Sequence, residues 1–218
     1  MWKLLKNKLI IVTGVVLGIG AAILVKYGNP PNMGVCLACF LRDIAGALGL
    51  HQVEKLRYFR PEILGFVFGA FIVSLLCKDF RSEGGSSPIL RFLIGMLVMF
   101  GALVFLGCPT RMTLRLAGGD PTAIVGLFGL IFGAYLGTQL LKQGFTLGRS
   151  QRLNNLNGLV LPFLAVIFLL LVAIKPSFIY LTPTGHAPLL LSLLVGLAIG
   201  GLAQRTGLCF VGGFRNYL

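Results

Sequence analysis

At 218 residues, with 56% hydrophobic and only 11% charged side chains, the chain carries far less charge than the about 25% usual in soluble domains. Its net charge of +13 would suit a nucleic-acid binder, but the basic residues are scattered over short loops, as positive-inside bias produces. Composition therefore excludes a soluble domain and predicts an all-α, polytopic membrane protein with no nucleic-acid partner.

Six apolar stretches, 9–25, 63–77, 89–106, 122–141, 158–174 and 187–203, each approach the roughly 20 residues that a hydrocarbon core demands. Arg91 is the only charged residue inside them, near an end where it can snorkel. The basic start Met1-Trp2-Lys3 and the apolar run after it resemble a signal peptide. The run exceeds the about 7–15 residues of a typical signal core, so an uncleaved first helix is expected. With the amino terminus inside, Lys and Arg divide 11 inside to 8 outside, too thin a margin to set the orientation.

Two segments between these stretches are too short to span and too apolar for ordinary loops. The first, about 34–50, is entered through Gly28-Asn29-Pro30-Pro31-Asn32 and is apolar apart from Arg42 and Asp43. Re-entry is preferred there over a short full crossing. The second runs from Gly107-Cys108-Pro109 to Gly118-Gly119-Asp120. Proline just inside a helix start and glycines just past its end predict a helix from Pro109 to Ala117. At 1.5 Å per residue it would be about 13 Å long, half a bilayer, as in a re-entrant helix buried in protein. The polar run 142–157 reads as a linker between a first transport repeat, 1–141, and the start of a second, 158–218.

A cysteine-centred motif occurs twice. Gly34-Val35-Cys36, with Arg42-Asp43 after it, aligns without gaps to Gly207-Leu208-Cys209, with Arg215-Asn216 after it, 173 positions on. With both short segments re-entrant, an odd number of crossings separates the copies and inverts the second, an architecture that puts a site at the midplane. A second counterpart of Cys108 would fall beyond Leu218. The second repeat is therefore incomplete, either as a truncated product or completed by assembly with further copies.

Cys108, as the residue before Pro109, would be a helix N-cap, its sulfur beside unpaired N–H groups at the positive helix end. Cys36 and Cys209 follow glycines and could be placed similarly. Three such thiols at depth would offer soft steps to a large sulfur anion; alternatively, a buried cysteine acts only as a small hydrophobe, the reading given to Cys77. Arg42 and Arg215 follow their cysteines by six residues. They either neutralise an anion or, for Arg42, pair with Asp43. Arg111 and Arg115, four apart, share one helix face, lining an entrance or meeting headgroups. Cys36-Leu37-Ala38-Cys39 is also a CxxC, which opens a second reading as a membrane thiol–disulfide oxidoreductase of the quinone-linked kind. Five cysteines, an odd number, suggest no disulfide scaffold, and two histidines are too few for a zinc or haem site. No metal or cofactor is expected. Glycines at 126, 129, 133 and 137, and at 196 and 200, predict close helix packing.

Met33-Gly34-Val35-Cys36, Arg42-Asp43, Gly107-Cys108-Pro109 with Arg111, Leu116-Ala117-Gly118-Gly119-Asp120 and Arg205-Thr206-Gly207-Leu208-Cys209 resemble the YeeE/YedE sulfur-transport family. They are most similar to its YedE-type selenium-transporter branch, over essentially the whole chain. The resemblance implies a non-enzymatic inner-membrane importer of thiosulfate or a related sulfur or selenium species, with Cys36, Cys108 and Cys209 touching the substrate transiently. It also implies a small cytoplasmic sulfur-carrier protein as partner. The departure is length, since such proteins continue through a complete second repeat with another Gly-Cys-Pro.

Overall fold

The computed structural model describes residues 2–85, 87–105, 107–145, 148, 150–174, 176, 179–180, 182, 185–209 and 212–213. Among them are nine α-helices: α1 (Trp2–Lys26), α2 (Leu37–Ala47), α3 (Pro61–Leu76), α4 (Pro88–Val104), α5 (Pro109–Ala117), α6 (Thr122–Lys142), α7 (Asn155–Gly158), α8 (Val160–Ile174) and α9 (Leu189–Thr206). Two short strands, β1 (Glu83–Gly84) and β2 (Gln151–Arg152), pair antiparallel and tie the α3–α4 connection to the polar run after α6.

Helix is thus the dominant structure, as composition predicts. Five helical stretches are long and apolar enough to cross a membrane: Lys8–Lys26, Pro88–Ala117, Thr122–Lys142, Asn155–Ile174 and Leu189–Thr206. The remaining expected stretch forms α3, which has 16 residues and at 1.5 Å per residue is about 24 Å long. It begins earlier than hydropathy suggests because Pro61 occupies the first turn, where its missing N–H costs nothing. Glu62 is thereby drawn inside the helix. Arg60, counted among the loop charges by sequence, is 2% exposed.

Helix α9 packs on α1 and on α3, with α8 also against α3. The α3–α9 contact is made backbone to backbone. A Cβ on Gly196 would lie 2.2 Å from the Glu62 carbonyl oxygen, and one on Gly200 would lie 2.1 Å from that of Phe66. Gly65 and Gly69 of α3 return the arrangement, their Cβ positions falling 2.3 Å from Leu193 O and 2.1 Å from Leu197 O. Small residues four apart on both helices permit this approach. The glycines of α6 behave differently from expectation, since Gly129, Gly133 and Gly137 have nothing within 4 Å. Helix α6 packs chiefly on α5, so those three positions face open space rather than a partner helix.

The first core cluster joins Leu17, Ala21 and Leu24 of α1 to Ile199 of α9, with Val35 and Ala187. Gly34 seats the entry to α2 against it, because a Cβ there would lie 2.3 Å from Ala21 O. The glycine of the first Gly-x-Cys motif therefore serves close approach to α1. Gly207, in the second motif, ends α9 in the left-handed region at φ +64°, a conformation that favours glycine.

Candidate functional site

Two short helices, α2 and α5, bring their N-termini together. Cys36 is the N-cap of α2, and its Sγ accepts a hydrogen bond from the Cys39 backbone N–H at 3.4 Å. Cys108 is the N-cap of α5, which spans Pro109–Ala117 as the sequence predicts. The sulfurs of Cys36 and Cys39 are 2.7 Å apart, and Cys108 Sγ donates to Cys36 Sγ at 3.6 Å. Two thiols at the start of α2 and one at the start of α5, 72 positions after Cys36, thus form one cluster. Met33, Ala38, Met99 and Ala102 surround it, an apolar and sulfur-rich wall. Cys36 is fully buried and Cys39 nearly so.

Arg111 supplies the charge. Its Nη1 donates to Cys39 Sγ at 3.4 Å, while its Nε is buried without a partner among the described residues. Gly107 makes this possible: a Cβ there would lie 2.7 Å from Arg111 Cδ and 2.9 Å from its Cβ, so only glycine lets the side chain fold back over the helix start. Each residue of Gly107-Cys108-Pro109 then has a separate physical task, making room, presenting sulfur and starting the helix.

The other sequence-predicted residues fall elsewhere. Arg42 pairs with Asp43, its Nη2 2.8 Å from Oδ1. Arg115, on the same helix as Arg111, builds the α5–α6 corner instead. It donates to Asp120 Oδ2 at 2.8 Å, to the Phe105 carbonyl at 3.0 Å and to Thr122 Oγ1 at 2.6 Å. Hydrogen bonds from Thr122 and then Arg115 hold the Asp120 carboxyl below the usual carboxylate range. Cys209 is exposed and lies outside the thiol cluster, with Gly212 N donating to its sulfur at 3.2 Å. Arg215 lies outside the described residues. Cys77 ends α3 as its C-cap, away from the other thiols.

No protein-family model, curated protein or solved structure matches this chain. The residues themselves carry the chemistry.

A polar network that sequence spacing does not signal lies behind α2. Asp43, with no exposed surface, accepts from Arg60 Nε at 2.7 Å as well as from Arg42. Arg60 Nη1 donates to Asn29 Oδ1 at 3.1 Å, and the Ala187 N–H donates to the same oxygen at 2.9 Å. Asn29 Nδ2 donates to Glu62 Oε1 at 2.7 Å, and Ser192 Oγ donates there at 3.1 Å. The network fixes α2, and with it Cys36 and Cys39, to the start of α3 and to α9.

Chemically, the cluster offers weak S–H donors, polarizable sulfur and one guanidinium with a free N–H. Such a set suits a large, soft anion and holds it without strong bonds. Among the described residues no group of three or more His, Cys, Asp or Glu is placed to hold a metal ion.

Proposed function

We propose that the chain is an integral inner-membrane transporter for a small sulfur- or selenium-containing compound, a thiosulfate-like anion or a selenium species. The meeting of Cys36, Cys39 and Cys108 with Arg111, whose Nε has no partner among the described residues, carries this reading. The anion displaces the Arg111–Cys39 contact, accepts from the guanidinium and from the Cys108 and Cys36 thiols, and moves on without covalent turnover. Cys209 serves further along the route as a third step, with Arg42 as a flanking charge; Arg215, six residues after Cys209 in the sequence, is the matching candidate by motif. Helices α2 and α5 are re-entrant, within an inverted repeat. The motif resemblance to the YeeE/YedE family adds a cytoplasmic sulfur-carrier protein as recipient.

Uptake of labelled thiosulfate and of labelled selenite into proteoliposomes tests the reading. Cys36→Ala and Cys108→Ala are expected to lower the rate at least about tenfold, the equivalent of one lost contact of roughly 1.4 kcal/mol, while Cys77→Ala stays near wild type. Equal rates for all three variants at matched protein levels would sink it.

A second reading is favoured by the 2.7 Å approach of the Cys36 and Cys39 sulfurs. In it the pair is oxidised to a disulfide, releasing two protons and two electrons that reduce a membrane quinone to its quinol. That activity is expected to vanish in Cys39→Ala and to survive Cys108→Ala, a substitution that transport is not expected to tolerate. Quinone reduction by the dithiol protein, followed by absorbance, separates the two.

A further inference from the structure

Glu62 is 3% exposed, yet its two carboxyl oxygens are treated unequally. Oε1 receives hydrogen bonds from Asn29 and Ser192. Oε2 is buried and has no hydrogen-bond partner among the described residues. As a carboxylate, Glu62 would leave charge on an oxygen that no described residue solvates, a costly arrangement in an apolar interior. With a proton on Oε2, the group is neutral and Oε1 remains the acceptor that both donors require.

The surrounding groups do not supply a counter-charge directly. Arg60 is engaged by Asp43 and Asn29, and none of the ion pairs among the described residues includes Glu62. Ser192 from α9 and Asn29 after α1 are neutral. Tyr58 is stacked on His186 at 3.8 Å. A metal cation is poorly served: Glu62 borders a cavity of about 10 Å³ whose other lining residues, such as Leu24, Phe40 and Val195, are apolar. A hard cation needs several oxygen ligands; a proton needs one.

We propose that Glu62 is a proton-binding site whose occupancy favours an anion at the neighbouring thiol–Arg111 cluster. The second half rests on the transport reading above; the first does not. The coupling follows from charge and connection. Arg42, Arg60, Asp43 and Glu62 together carry one net positive charge when Glu62 is protonated and none when it is ionised. Asp43 lies on α2, one helical turn beyond Cys39, and joins Glu62 through Arg60 and Asn29. An anion at the head of α2 therefore meets a more positive surrounding when the proton is bound. Linkage makes the effect reciprocal, so a bound anion strengthens proton binding. A carrier with this arrangement moves proton and anion in the same direction.

Infrared titration of the full chain in lipid nanodiscs tests the site. The expected result is a protonated-carboxyl C=O band that disappears as pH rises, shifts when glutamate is 13C-labelled, and is missing in Glu62→Gln. Only three glutamates occur, Glu54, Glu62 and Glu83, and the other two are exposed, so the label in a Glu54→Gln/Glu83→Gln background assigns the band to Glu62 if Glu62→Gln fails to fold. No such band, or one insensitive to the label, overturns the proton site. Thiosulfate and selenite affinities, measured across the same pH range, test the coupling. Affinity is expected to fall at least about fivefold as the band is lost and to be flat with pH in Glu62→Gln. A flat wild-type profile overturns the coupling. A titrating band with neither anion bound at any pH removes the transport reading and the coupling with it, and leaves the proton site standing.

Discussion

Asp43→Ala is expected to destabilise the protein by about 3–5 kcal/mol, the usual cost of leaving a buried charge without its partner. Asp43 has no exposed side-chain surface and Arg60 has 2%, so neither can recover its loss from solvent. Arg42, at 23% exposure, can turn outward and contributes little to the cost. Without Asp43, Arg60 keeps one hydrogen bond to Asn29 and its cation–aromatic contacts with Tyr58 and Phe40. Those do not neutralise it. The double variant Asp43→Ala/Arg60→Met is expected to regain a large part of the stability, because replacing a buried pair by apolar groups is far less damaging than breaking it. Unfolding in mixed detergent micelles with rising sodium dodecyl sulfate reads both. A single-variant loss under about 1 kcal/mol, ordinary for surface substitutions, would show that the network is wet and weak.

Gly200→Ala should be the next most damaging change. Its new Cβ would sit 2.1 Å from Phe66 O and 2.7 Å from both Phe66 C and Phe66 Cα. These are backbone atoms, which cannot rotate away, so α9 must move off α3. Overpacking of this kind costs about 1–3 kcal/mol or more. Gly133→Ala on α6, where nothing lies within 4 Å, provides the opposite sign. It should stabilise by up to about 1 kcal/mol, since alanine in a helix interior gives up less backbone entropy than glycine. The same micelle titration compares them, and equal effects at the two positions would discredit the close α3–α9 contact.

Local signals explain most of what the sequence made legible. Helix α5 runs from Pro109 to Ala117 because a proline start and a glycine stop are properties of adjacent residues. Cys36 and Cys108 as N-caps follow from the same kind of signal. Arg111 is singled out by sequence, but its separation in role from Arg115 is not, for both share one helix face and only the fold decides which meets the thiols. Cys39 is ambiguous in sequence because Gly212 stands opposite it in the second motif, yet it lies in the cluster beside Arg111. The polar network was illegible for a plainer reason. Asn29, Glu62 and Ser192 are joined across 33 and 130 positions, and no periodicity encodes a contact at such separations. Hydropathy also places Arg60 and Glu62 at a boundary, whereas burial of the first turn of α3 encloses both.

The amide of Asn29 has a chemical future fixed by the residue that follows it. Its two ends are committed to opposite roles, oxygen toward Arg60 and the Ala187 N–H, nitrogen toward Glu62. Spontaneous conversion to aspartate would replace that nitrogen by a repelling oxygen. The route to such ageing passes through attack by the next backbone nitrogen to form a cyclic imide. Here that nitrogen belongs to Pro30, which carries no hydrogen to lose, and the hub is thereby protected against the slow decay to which exposed Asn-Gly pairs succumb.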